Sequence, residues 1–359
     1  MTDRMRWNRR RRKGAAGRGA LGISGISRIR KGSEYRRKME NIRFIIIVVL
    51  AASFAVFAAI AALAIYSEGL AKFVGGIESM NPYYFLAALG VIFLGYVIRF
   101  PKWEFYLRKL KVKIPRAKNF LIYLSMYSMD ITPGRWGRAM VSYTINRISK
   151  VSFARTFPAV VADIFTDFLG FVVVLIVSMI FVHKFFGISL IITILLVIPF
   201  VFVYIKGPFL YVKKRFGHIK RLRSVFDIGN LYFRYNKMLK GSAYAYSMLY
   251  TIPAMFLNGL ALYLVILAFG VNMPLSSLPT VLFIFSSSLI LGMISGLPAT
   301  LGVTDAALIG YLTLFFPATI GIGLASIITI FFRIATVWFV EGFGFSALLY
   351  TMKYWSVEQ

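Results

Sequence analysis

Apolar residues in this chain come in long runs, and basic residues gather in the gaps between them. Runs at 44–66, 82–100, 153–182, 188–205, 244–269 and about 320–351 come close to or exceed the roughly 20 residues that a helix needs to cross a bilayer. None shows the ten-residue alternation of an outer-membrane barrel. Two further apolar stretches, 119–147 and 279–316, are each interrupted in a similar way. The first contains "TPGRWGR", with Pro133, Gly134 and Gly137; the second contains "LPATLGV", with Pro298 and Gly302. Proline removes a backbone donor and turns the preceding residue away from helix, and glycine permits tight turns. In hydrocarbon the freed N–H and C=O groups cost several kcal/mol each, so such a break survives only inside protein or beside a polar cavity. The pattern predicts an all-α polytopic membrane protein with about six spanning helices and two Pro/Gly-broken re-entrant hairpins.

Charge orients these elements. Lys and Arg concentrate in 1–43, 101–118, 148–155 and 206–240, whereas 67–80, 183–187, 270–278 and 317–319 hold two lysines between them. The positive-inside rule puts the first group in the cytoplasm, with both termini, in the cell membrane. The first hairpin then enters from the cytoplasm and the second from outside, as an inverted pair would. The expected division is a basic, disordered arm at 1–42, a single transmembrane domain at 43–352 and a cytoplasmic tail at 353–359. Within it, "RFPKWEFYLRKLKVKIPRAK", with eight Lys/Arg and one Glu, reads as an interfacial segment. The connector 206–240, with ten Lys/Arg and one Asp, reads as a cytoplasmic loop with an amphipathic surface helix in "VFDIGNLYFRYNKMLK".

Composition narrows the chemistry. The 359 residues are 59% hydrophobic and include no cysteine and two histidines, His183 and His218. Disulfides, thiolate chemistry, and zinc or haem sites are therefore not expected, and no cofactor is. The net charge of +29 is read as membrane orientation and contact with anionic lipid rather than nucleic-acid binding. The chain lacks a P-loop, a Ser-His-Asp pattern and a Gly-rich dinucleotide motif, so neither an enzyme nor a self-powered ATPase is expected.

The candidate site residues follow from the breaks and from charges inside the spans. Arg135 and Arg138 follow the first Pro-Gly, three apart and at a new helix start, where free N–H groups attract anions. They would hold a phosphate, or else snorkel to the interface. Asp163 and Asp167 lie four apart on one face near the middle of a span. Intramembrane acids of this kind are functional candidates, unless they simply pair with a buried arginine. Arg333, mid-span, is the expected partner, with Glu341 eight residues on. Asp305 follows the second break and would either join the site or serve the dipole of its own helix.

In order along the chain, "TPGRWGR", "VVADIFTDFLG", "GLPATLGVTDAAL" and "FFRIATVWF" resemble the motifs of the flippase-like family that includes the transmembrane part of lysylphosphatidylglycerol synthases. The resemblance covers about 43–350. It departs from the family pattern at Asp163-Ile164, where Glu-Arg is usual, and at Arg138, where an acid is usual. It also departs at Ala299, Thr300 and Asp305 in the second motif, so a headgroup preference does not carry over. Nothing in the sequence corresponds to the aminoacyl-transferase domain of the synthases, so lipid lysylation is not expected. The resemblance and the paired breaks together imply translocation of a phospholipid, glycolipid or polyprenyl-phosphate lipid through a polar midplane cavity. The expected partners are membrane lipids, anionic or phosphate-bearing. Two other readings stay open: an accessory subunit of an envelope-synthesis enzyme, and a small-solute or ion transporter. The oligomeric state is not legible.

Overall fold

The computed structural model describes residues 54–182, 187 and 206–355, apart from positions 57, 64, 67, 68, 131, 217, 220–222, 240, 298 and 299. The expected basic arm, the span at 188–205 and Pro298 lie outside the described residues. Of the expected first span, only the part from residue 54 is described, and it is helical.

All regular structure among the described residues is helical. We label the helices α1 (Leu70–Glu78), α2 (Pro82–Lys109), α3 (Arg116–Met126), α4 (Met140–Ser149), α5 (Phe153–Met179) and α6 (Lys206–Phe216). After them come α7 (Arg223–Asn236), α8 (Gly241–Ala268), α9 (Leu278–Ser295), α10 (Val303–Phe315), α11 (Ile322–Arg333) and α12 (Phe339–Trp355). A π-helical stretch, Ile334–Trp338, joins α11 to α12. Among the described residues, five segments are long and apolar enough to cross a membrane: Pro82–Lys109, Phe153–Met179, Gly241–Ala268, Leu275–Ser295 and Ile322–Thr351. Four coincide with expected spans, and the fifth is the first limb of the second hairpin. The chain is a multi-pass α-helical membrane protein.

The α2–α8 pair sets the frame. Asn81 caps α2 by accepting a hydrogen bond from Tyr83 N at 3.0 Å, with proline at the first helical position. Asn81 N donates to Ala268 O at 2.7 Å, and at the other end the rings of Phe105 and Tyr246 lie 4.4 Å apart. The two helices are therefore antiparallel. The first hairpin leaves from the C-terminal end of α2. It returns to the same level, because Arg155 Nε at the start of α5 donates to Leu110 O at 2.7 Å. The second hairpin leaves from the C-terminal end of α8, at the opposite end of the frame. Its limbs return side by side, with the rings of Phe283 and Phe315 5.5 Å apart. The hairpins thus enter from opposite sides.

They are unequal. The first has limbs of 11 and 10 residues, the second of 18 and 13. At about 1.5 Å per residue the longest limb of the first reaches only half-way through a bilayer, whereas α9 nearly crosses one.

One expectation needs correction. The segment from 101 onward is not an interfacial loop at its start: α2 runs through Pro101 to Lys109, with Arg99 and Lys102 buried. Proline is tolerated in a spanning helix where neighbouring groups re-satisfy the freed backbone, and the protein's own interior supplies the counter-charges that these two cations need. By contrast, the amphipathic helix expected in the basic connector is present as α7. Its Tyr232 and Phe233 pack with Val161 of α5 in a small cluster of their own.

Candidate functional site

The first break is a tight knot of backbone. After α3 the chain makes a short 3-10 turn at Tyr127–Met129 and a second 3-10 helix at Pro133–Ala139. Thr132 is its hub: its hydroxyl donates to Met129 O at 2.8 Å and accepts from Gly137 N at 2.6 Å. A Cβ at Gly137 would stand 2.7 Å from Met129 O and from two atoms of the Thr132 side chain, so no other residue fits there without movement. Gly134 lies within the same turn. Arg135 is held at φ +60°, a left-handed conformation that is uncommon for a residue with a side chain.

This knot presents Arg138 to a buried ion network. The Arg138 guanidinium donates to Asp130 through Nε and through Nη2 (2.6 Å), and its Nη1 lies 3.0 Å from Asp163 Oδ2 and 3.1 Å from Asp167 Oδ2. From α2, Lys102 Nζ reaches Asp163 Oδ1 at 2.9 Å and Asp167 Oδ1 at 2.8 Å, and Arg99 Nη1 reaches Asp167 Oδ2 at 3.1 Å. Thr166 stands between the acids and takes hydrogen bonds from Lys102 and Tyr106, each at 3.2 Å. Aromatic faces close the network: Arg99 lies 4.3 Å from the Tyr96 ring centre, and Arg138 lies 4.6 Å from that of Tyr127. Asp163, Asp167 and Lys102 are completely buried. Removing water strengthens such pairs, but each charge has also lost its hydration, so the network is tolerable only because every charge in it faces an opposite one.

The second break is looser. α9 ends at Gly296 in the left-handed conformation, Thr300 stands at φ +57°, and Gly302, at φ +80°, precedes α10. Asp305 ties the restart together, accepting from Gly302 N at 2.8 Å through Oδ2 while its Oδ1 lies 2.8 Å from Arg333 Nε. It therefore serves both its own helix start and an ion pair. Arg333 Nη1 also reaches Thr300 Oγ1 at 3.5 Å.

The last helix connects the breaks. At one end Arg333 meets Asp305; at the other, Gly344 lies so close to the first break that a Cβ there would sit 2.6 Å from Ser128 N. The π-helical stretch lies between, and such stretches often mark functional sites. Its Thr336 and Val337 line a cavity of about 100 Å³ that is also walled by Asp130, Thr132 and Arg135 from the first break. Leu297 and Thr300 from the second break, Arg333 from the end of α11 and Glu341 from α12 complete the wall, which Ile164, Leu289, Met293, Phe332 and Val340 make partly apolar. A second cavity of about 50 Å³ shares Tyr96, Arg135, Leu289 and Thr336 with the first and reaches Arg99 and Arg138. The larger one has room for several waters.

The candidate residues thus fall into two groups. Arg138, Asp163 and Asp167 are drawn together, whereas Arg135, Arg333, Glu341 and, through Arg333, Asp305 belong to the cavity. Arg135 and Arg138 do not act as a pair: Arg138 is enclosed by three carboxylates, and Arg135, 19% exposed, lies 4.0 Å from Asp167. Neither snorkelling nor a shared phosphate clamp describes Arg138. Arg333, expected to balance Asp163, Asp167 and Asp305, is paired with Asp305, while Asp163 and Asp167 draw cations from elsewhere. The cations at those acids are instead Arg99 and Lys102. The residues that sequence reasoning missed are Arg99, Lys102 and Asp130. A signal existed: Arg99 and Lys102 are three apart, on one helical face, inside a run whose apolar character resumes after Pro101. Asp130 directly precedes the first break. Where the resemblance implies an arginine beside the acid, Ile164 stands, and α2 supplies the positive charge. The network and cavity together hold five cations (Arg99, Lys102, Arg135, Arg138, Arg333) and five carboxylates (Asp130, Asp163, Asp167, Asp305, Glu341).

A protein-family model described as "Lysylphosphatidylglycerol synthase TM region" matches residues 46–344. No curated protein matches the chain.

Proposed function

The chain belongs to the lysylphosphatidylglycerol synthase transmembrane-region family, and from that premise we propose that it moves a phosphate-bearing membrane lipid between leaflets without covalent chemistry. A phospholipid, a glycolipid phosphate or a polyprenyl-phosphate carrier would fit. The observation that carries this reading is the convergence of two oppositely entering breaks on one cavity whose wall carries charged and hydroxyl groups, the arrangement expected of alternating access. The cavity suits a phosphate or a small headgroup, and the acyl chains would stay in the bilayer. Arg135, with nearby Thr132, Thr300 and Thr336, would hold the phosphate. The breaks would open the cavity to alternate sides, the first toward the cytoplasm and the second toward the outside of the cell membrane, with both termini cytoplasmic.

Reconstitution in liposomes with fluorescent lipids tests this. Lipid should become accessible to an external quencher faster than in empty liposomes, and Arg135→Ala should abolish the gain. Across varied headgroups and ion gradients, no movement above the empty-liposome rate would end the proposal.

The charge-paired network around Asp163 and Asp167 favours a second reading, a non-transporting subunit that serves envelope-lipid synthesis. Co-purification of a synthetic enzyme, together with absent lipid movement, would select it.

A further inference from the structure

Among the described residues, the network and cavity hold five cations and five carboxylates, of which Arg135 and Asp130 are partly exposed, and this balance constrains what can enter. A phosphodiester carries one negative charge. If it arrived with every carboxylate ionised, one uncompensated charge would remain in a dry site, which is expensive. The site can stay neutral by gaining one proton. Four of the five carboxylates are poor acceptors because cations already hold them: Asp130, Asp163, Asp167 and Asp305 are all in ion pairs.

Glu341 differs. It is 4% exposed, its Oε1 has no hydrogen-bond partner, it makes no ion pair among the described residues, and it lines the same cavity as Arg135. The charged groups that share its cavity wall include Asp130 from the first break and Arg333 from the end of α11. Arg135 and, through Arg333, Asp305 share the cavity wall. Tyr123 and Tyr127, from the elements packed on α12, are buried phenols. A proton on Glu341 would remove the one cavity-wall carboxylate that is in no ion pair among the described residues, and with it a negative charge facing an incoming anion.

We propose that binding of a phosphodiester in this cavity is coupled to uptake of one proton by Glu341. The proton comes from water and adds to a carboxylate oxygen, and no bond of the ligand breaks. The inference rests on the lipid-phosphate reading above and adds its coupling: lipid and proton move together, with no net charge transferred.

The test is binding to the full chain in nanodiscs, with dihexanoylphosphatidylglycerol and dimethyl phosphate, a free phosphodiester that stays singly charged, as separate probes, from about pH 6 to about pH 9. Calorimetry in buffers of different ionisation enthalpy counts the protons. Wild type should lose about tenfold in lipid affinity per pH unit once Glu341 is ionised, with about one proton taken up per lipid. Glu341→Gln should bind with an affinity that does not vary with pH. A flat wild-type profile, or a slope that persists in Glu341→Gln, overturns the coupling and leaves the lipid reading standing. Proton-linked binding of dimethyl phosphate alone supports the coupling and overturns the lipid source. No binding of either probe by folded protein at any pH overturns both.

Discussion

At the first break Arg138 meets Asp130, Asp163 and Asp167 while Arg99 and Lys102 reach in from α2; at the second, Arg333 meets Asp305 and Glu341 keeps an oxygen without a partner. The chemical groups are the same and the settings are not. In the first set each cation faces one or more carboxylates, although Arg99 Nη2 has no hydrogen-bond partner, and the set ties three separate elements together: α2, the first hairpin and α5. The second set is sparse and lies on a cavity wall. Pairing makes a brace and vacancy makes a site, because a buried charge that already has its partners gains little from a ligand.

Four experiments would break or sharpen that contrast. The largest effect is expected from Asp167→Asn, which weakens the hold on three buried cations at once. A loss of about 3–5 kcal/mol is expected, read as failure to purify as a monodisperse protein or as early unfolding in detergent. Asp305→Asn should cost less, about 1–3 kcal/mol, because the neighbouring cavity lets water reach Arg333. Lipid movement in liposomes should fall further than stability does. Equal losses in the two variants, measured by thermal unfolding, would mean that the two sets are one kind of structure. Glu341→Gln should change stability by less than about 1 kcal/mol, since it removes an unpaired charge instead of breaking a pair. A loss as large as that of Asp167→Asn would show that Glu341 is structural. The smallest effect is expected from Glu104→Gln. It removes the surface contact with Arg116, whose side chain is 73% exposed at 3.7 Å, and should cost less than about 0.5 kcal/mol by the same unfolding measurement.

The hairpins show how far a linear reading reaches. Proline and glycine announced both breaks, and the second hairpin, expected over 279–316, is built from α9 and α10 almost within those bounds. The opposite directions of entry followed from loop charge, and the antiparallel α2–α8 frame reproduces them. The unequal limbs were not legible, because the length of an apolar run does not say where within it a helix stops against its neighbours. In the site, Arg135, Arg333 and Glu341 were found because each stood out against its surroundings. Arg99 and Lys102 were missed because they begin a basic run that the positive-inside rule explains equally well.

What the sequence determined by itself is what local chemistry determines: runs long enough to cross a bilayer, helices broken where proline and glycine fall together, and acids stranded in hydrocarbon that must find company. What only the tertiary structure decided is which company they find. Lys102 and Asp167 are 65 residues apart, and Arg333 reaches back to Thr300 across 33. Such pairings depend on how α2, α5 and the last helix lie against one another. An ion pair acts through space over a few ångströms, and spacing along the chain carries no record of it.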